Sequence, residues 1–245
     1  MSPRLVGAAA ARVLGPERLV EVLGAPARRR GMDERRVVLT VLATCLGLLG
    51  APDWLMRQWL VRVAAGDVDA AQTTRHMLDG QAEAFPYLQG MLDPLTGWLD
   101  EAPEHARESL GEAYGALLEV DLRACAQAPE AGGDLLGPVY TVLRSRAEVT
   151  GNGAFYTPAS LCRLISQLAP VSEGGRVLEP ACGTAGMVVS QARAMRARGE
   201  CPESVEWVLQ DLDPTALALA GVNAAAHGLP RVRLLLGDAL AAPLS

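Results

Sequence analysis

The hydrophobic positions of the chain change their pattern once along its length. From Met1 to about Cys125 they recur at helical spacing only. Leu55, Trp59 and Val63 stand at four-residue steps after a Pro52-Asp53 start signal, with Arg57 and Arg62 on other faces. Leu110, Leu117 with Leu118, and Leu122 do the same after Pro103-Glu104. No run alternates with period two for long enough to make a strand. Val37 to Leu49 is almost wholly apolar behind Arg35-Arg36. It is shorter than the roughly 20 residues a membrane-spanning helix needs, so it reads as a buried helix. Trp54, Trp59 and Trp98 are assigned to the core rather than to a stacking platform, because aromatics at helical spacing mostly pack inside. Arg28-Arg29-Arg30, between Pro26 and Gly31, is expected in a solvated loop.

Ala126 to Gly133 is small, Pro- and Gly-containing, and apolar only in alanine. It reads as a linker. The pattern therefore predicts a helical domain over 1–125, a linker over 126–133 and a second domain over 134–245. In that domain Asp134 caps a helix carrying Leu135, Leu136, Val139, Val142 and Leu143, and Val149 to Gly153 is a glycine-bracketed loop. Thr157-Pro158 is a helix start, with a hydroxyl at the N-cap and proline at the first helical position. Leu161, Leu164, Ile165 and Leu168 are expected as the buried stripe of that helix.

The pattern then becomes strand, turn and helix. Arg176 to Leu178 is a short apolar strand followed at once by Glu179-Pro180-Ala181-Cys182-Gly183-Thr184-Ala185-Gly186. Glycines at 183 and 186 let the backbone approach a ligand, and the helix from Met187 to about Arg198 points its positive end at the turn. A second strand, Val205 to Leu209, ends in Gln210-Asp211, where a carboxylate can take both ribose hydroxyls of an adenosine. Asp213-Pro214 opens a helix with Leu217, Ala220, Val222 and Ala224, closed by His227-Gly228. A third strand, Val232 to Leu236, ends in Gly237-Asp238. The fold class is thus α/β, a helical domain followed by a three-strand half of a Rossmann-like sheet. His227 reads as structural, an imidazolium meeting a helix C-terminus. Cys182 reads as a small filler of the turn, although a thiol at a helix N-terminus can have a lowered pKa.

Composition narrows this picture. A chain of 245 residues that is 50% hydrophobic can bury a sizeable core. A formal net charge of −6 argues against a surface that grips nucleic acid all over, so DNA contact would need a partner or a local patch. The five cysteines are scattered with no C-x-x-C pair, which fits neither a disulfide framework nor a zinc site and points to a reducing, cytoplasmic compartment.

From about Asp134 to Asp238 these residues resemble the modification subunits of type I restriction-modification systems and related adenine-N6 DNA methyltransferases. Asp134-Leu-Leu-Gly-Pro-Val-Tyr140 is similar to the family's helix leading into the site, and Phe155-Tyr156-Thr157-Pro158 to its motif X. Glu179 to Gly186 is similar to motif I, Gln210-Asp-Leu-Asp-Pro214 to motif II, and Leu236-Gly-Asp238 to motif III. The helical region before residue 125 resembles the family's N-terminal domain in kind. The resemblance implies a methyltransferase sheet with S-adenosylmethionine as cofactor. It implies that Ala154, Phe155, Tyr156, Thr157, Pro158 and Ala159 hold the methionine end, with Thr157 as a hydrogen-bond donor. It further implies that Glu179 and Gly183 belong to the site, that Thr184, Ala185 and Gly186 pass beneath the cofactor, that Asp211 takes the ribose and that Asp238 takes the adenine amine. Glu179 and Met187 replace the family's commoner Asp and Phe.

In this family a fourth strand brings an Asn-Pro-Pro-aromatic tetrapeptide that holds the flipped target adenine. No N-P-P or D-P-P occurs in this sequence, which runs to Ser245. Without a fourth strand the motif I strand would be an open apolar edge. No residue here is therefore assigned a catalytic role, and two outcomes are expected. One is the cofactor-binding part of an adenine-N6 DNA methyltransferase, truncated and inactive alone. The other is a silent S-adenosylmethionine-binding or interaction module completed by a second polypeptide. A small-molecule methyltransferase would make the Phe155 to Pro158 segment a coincidence. The resemblance implies DNA as a partner through a separate specificity subunit, with a restriction subunit also in view, and no membrane.

Overall fold

Several helices start on an aspartate that accepts backbone N–H bonds the first turn would leave unpaired. Asp33 accepts from Arg35, Asp69 from Gln72, Asp121 from Ala124, and Asp213 from both Thr215 and Ala216. In the computed structural model, which describes residues 11–147 and 156–241, the helical region comprises α1 (Pro16–Arg29), α2 (Glu34–Gly47), α3 (Asp53–Ala64), α4 (Ala70–Ala84), α5 (Asp93–Thr96), α6 (Glu104–Ala116) and α7 (Leu122–Gln127). It is followed by α8 (Leu136–Ala147) and α9 (Ala159–Leu168), then β1 (Arg176–Glu179), α10 (Gly186–Ala197), β2 (Glu206–Asp211), α11 (Pro214–Ala226) and β3 (Val232–Leu236). The loop expected over Val149 to Gly153 lies outside the described residues, as do Ala154 and Phe155.

Helix α2 runs through the middle of the helical region, with every residue from Val37 to Leu46 buried. Among the described residues no helix is long and apolar enough to cross a membrane. Tyr114 is wholly buried; Trp59 meets its ring edge-on at 4.8 Å and Thr74 Oγ1 its hydroxyl at 2.8 Å. Trp98 donates its ring N–H to the Leu95 carbonyl. Trp54 departs from the expected core assignment: it is 66% exposed, and Leu55 beside it is exposed as well. Arg28 and Arg29 also depart from the expected loop, because α1 continues through Pro26 to Arg29. Arg28 pairs with Glu34, Arg29 with Glu112, and Arg30 with Glu108 and Glu112 at 3.2 and 2.6 Å, which ties α1 to α6.

The sheet is parallel in the order β1-β2-β3, with Val177 opposite Trp207 and Leu209 opposite Leu234. Crossovers of one hand leave α10 and α11 on the same face. There Trp207, Leu209, Val188, Ala192, Leu217 and Ala220 form one core. The remaining faces of α11 (Ala216, Leu219, Val222, Ala225) join the core of the helical region together with Leu135, Leu136, Val139, Tyr140 and Leu143 of the α8 segment. A helix that is apolar all round can only be buried on all sides, and α11 is the common wall of both cores.

The stripe expected on α9 is reversed. Leu161, Leu164 and Leu168 are exposed, and the buried residues are Cys162 and Ser166. Ser166 Oγ donates to Ser190 Oγ of α10 at 3.0 Å, and Gln191 donates to the Ala169 carbonyl. Small polar side chains let the two helices approach closely, which turns the leucines outward. The helix begins at Ala159 with Pro158 at the N-cap and no side-chain cap bond, so Thr157 does not cap it.

Candidate cofactor site

The turn after β1 owes its shape to residues that tolerate a left-handed backbone. Gly183 has φ +53°, and Ala185, the N-cap of α10, has φ +68°. A non-glycine residue in that region costs about 1–2 kcal/mol, and Ala185 is held there fully buried. At Gly183 a Cβ would come within 2.9 Å of Tyr156 Cε1, so only glycine lets that ring lie on the turn. The Gly183 N–H points to Asp211 Oδ2 at 2.7 Å, and the Cys182 N–H to the Gln210 carbonyl at 2.9 Å, which joins the turn to the end of β2.

A buried carboxylate sets the turn from the other side. Asp134 Oδ1 accepts from the Gly137 N–H at 2.8 Å and Asn223 Nδ2 at 2.7 Å, while Oδ2 accepts from Thr184 Oγ1 at 2.8 Å. Asn223 also donates to the Thr184 carbonyl at 2.7 Å. Burial pushes the Asp134 carboxyl above the usual carboxylate range, against the pull of these donors. One side chain thus links α8, the turn and α11. The residue's cap pattern is legible in the sequence, but the bonds to Thr184 and Asn223 span 50 and 89 positions and leave no local signal.

These elements enclose a cleft of about 1540 Å³. Tyr156, Thr157, Pro158, Ala159, Glu179, Gly183, Thr184, Gly186 and Asp211 all line it, so most of the residues singled out in the sequence converge. Ala185 supports the turn from below, fully buried. Asp238 lies beyond β3, exposed and outside the lining, with its Oδ1 accepting from the Leu240 N–H. Ala154 and Phe155 fall outside the described residues. The lining adds Tyr140, Arg144, Leu212 and Asp213, to which the sequence reading assigned no contact with the cofactor.

The chemistry of the lining suits a ligand with both cationic and hydroxyl groups. Glu179 is half-buried, burial raises its carboxyl, and among the described residues nothing donates to it. Asp211 Oδ1 accepts from the Asp213 N–H at 2.9 Å, so each of its oxygens holds one backbone donor and retains a lone pair for another. Leu212, 69% exposed, offers an apolar surface next to it. Burial pushes the Cys182 thiol well up, so it is an inert filler. His227 is structural, but as a neutral ring rather than an imidazolium: burial lowers its pKa, and Nε2 lies 3.0 Å from the Gly133 carbonyl, to which only an N–H can donate.

A parallel sheet with a glycine turn after its first strand, a helix N-terminus on that turn and a carboxylate at the end of the second strand defines the nucleotide-binding half of a Rossmann-like fold. Residues 131–245, just under half of the chain, match the N-6 DNA Methylase family model. Among known proteins, the type I restriction enzyme MjaIX methylase subunit of Methanocaldococcus jannaschii is 35% identical over 98 residues, 39% of this chain and 17% of that protein. The HindI methylase subunit of Haemophilus influenzae is 37% identical over 100 residues, 39% of this chain and 22% of that protein. The chain therefore matches about a fifth of the length of these curated relatives. The fold is shared with the crystal structure of the type I restriction-modification system methyltransferase subunit from Streptococcus thermophilus, at TM-score 0.53 and 17% identity over 94% of this chain and 60% of that one.

Proposed function

We propose that this chain is the methyl-donor part of an adenine-N6 DNA methyltransferase of the type I restriction-modification kind. The observation that carries the reading is the convergence of the Cys182 to Gly186 turn, Glu179 and Asp211 on one cleft. S-adenosylmethionine supplies an electrophilic methyl group on its sulfonium. Glu179 and the segment from Ala154 to Ala159 would hold its methionine end. The turn would pass beneath it, Asp211 would accept from its ribose hydroxyls, Leu212 would lie against the adenine, and Asp238 would close over the adenine amine. DNA would be brought by a separate specificity subunit, which suits the net charge of −6. A restriction subunit would share the complex, and a cytoplasmic setting goes with both.

A second feature favours completion by further strands. The edge of β1 has no strand partner among the described residues, and Leu178 of β1 is 50% exposed. All-parallel sheets are covered on both faces. The acceptor base would then be held by strands and loops beyond residues 1–245, from the same polypeptide or a second one, and the 245-residue chain would be silent in methyl transfer.

Isothermal titration with S-adenosylmethionine tests the donor reading. One site per chain is expected, weakened at least about tenfold by Asp211→Ala, as removal of a charged acceptor for two hydroxyls implies. Absence of heat for the wild-type chain would overturn it.

A further inference from the structure

The Asp211 carboxylate sits inside a closed ring of contacts. Its two oxygens accept from the N–H groups of Gly183 and Asp213. Asp213 is gripped in turn from α8: the Tyr140 hydroxyl donates to Oδ2 at 2.6 Å, and Arg144 reaches the same oxygen at 3.3 Å. The Arg144 guanidinium also lies over the Tyr140 ring, 5.8 Å from its centre. Tyr156 closes the circuit. Its ring rests on Gly183 and meets the Tyr140 ring edge-on at 6.0 Å.

Capping of α11 does not explain this arrangement. The N–H groups of Thr215 and Ala216 both go to Asp213 Oδ1, so the cap is complete without Oδ2. The second oxygen serves α8 instead. Tyr140 borders the cleft but is only 4% exposed and packs in the helical core, so the surface it offers a ligand is small. Its hydroxyl holds Asp213, and the backbone N–H of Asp213 is one of the two donors that orient Asp211.

We propose that Tyr140 is a positioning residue for Asp211: acting through Asp213, it makes recognition of the cofactor's ribose hydroxyls depend on the seating of α8 against the helical region. This rests on the reading of the cleft as an S-adenosylmethionine site. A carboxylate accepts two neighbouring hydroxyls only when both oxygens face them, so a small rotation of the 211–213 backbone removes ribose discrimination while leaving the turn in place.

The test compares S-adenosylhomocysteine with its 2′-deoxy counterpart by titration calorimetry on the 245-residue chain. The wild type is expected to prefer the ribose form by at least about tenfold, the range for a hydrogen bond to a charged group. Tyr140→Phe, which removes one oxygen atom, lowers that preference to within about threefold. Asp213→Asn keeps the oxygen that caps α11 and loses the acceptor for Tyr140, so it has the same effect. The double variant is no worse than the weaker single one, because both break one link. A merely structural weakening would reduce affinity for both ligands alike and leave the ratio unchanged. If Tyr140→Phe fails to fold, Asp213→Asn decides alone. Folded variants that keep the wild-type ratio overturn the proposal, as does a wild-type chain that binds both ligands equally. A wild-type chain that takes up neither ligand defeats the cofactor reading itself, which separates the two failures.

Discussion

On the face of the sheet that meets α10 and α11, Trp207, Leu209 and Val232 are buried in a continuous core. On the opposite face Val208 and Gln210 of the middle strand are buried, but at the margins Leu178 is half exposed, and Arg176 and Arg233 reach toward Glu206 at 3.7 and 3.9 Å. The helices divide in the same way. Helix α11 is buried on every side, whereas α9 buries Cys162 and Ser166 and turns its leucines out. The side that shapes the cleft is thus finished by residues of this chain, and the other side carries apolar surface that these residues do not cover. The cleft is therefore joined to the helical region, through α11, Asp134 and the Tyr140 to Asp213 bond, rather than framed by a complete sheet.

Changes that break the finished side should be the most costly. Trp207→Ala is expected to lose about 3–5 kcal/mol, the range for truncating a buried aromatic side chain; urea unfolding followed by circular dichroism measures it, and a loss under about 1 kcal/mol would contradict the assignment of that face. Asp134→Leu leaves Gly137, Thr184 and Asn223 without their shared acceptor and should cost about 3 kcal/mol in the same experiment.

A smaller effect concerns pH. His227 has its pKa lowered by burial, with Arg193 and Arg196 adding repulsion. Because the folded value lies below the unfolded one, its contribution is complete above the ordinary histidine value of about 6.5 and is lost as pH falls through the folded value. His227→Gln keeps an amide donor for the Gly133 carbonyl and cannot titrate. Its melting temperature should therefore fall less than that of the wild type between pH 7 and pH 5, and parallel curves would count against a neutral buried ring. The smallest change belongs to the open side. Leu164→Ser with Leu168→Ser should shift stability by no more than about 0.5 kcal/mol each and reduce self-association in sedimentation. A large destabilisation would mean that α9 is packed after all.

Much of this is legible in the sequence alone. The three strands, the cap at Asp213 and the burial of Val37 to Leu46 follow from local pattern, because each is decided by neighbours within a turn or two of chain. The α9 stripe was not legible. Periodicity shows that a helix has an apolar face but not which face meets its neighbour, and there the small pair Ser166 and Ser190 decides. The leucine face has the composition of a core and lacks its cover. Nor could spacing reveal Asp134 or Tyr140 as parts of the site, because the Tyr140 to Asp213 bond joins residues 73 positions apart. Sequence reading named many of the side chains that line the cleft, placed Asp238 with them although it lies outside, and left out Tyr140 and Arg144, which hold Asp213.

The proposal that residues 1–245 bind the methyl donor without transferring its methyl group is tested most directly by incubating the chain with methyl-labelled S-adenosylmethionine and unmethylated DNA. Label should be retained on the protein at one equivalent per chain, displaced by S-adenosylhomocysteine, with none in the DNA. Label incorporated into DNA adenine by this chain alone would contradict it.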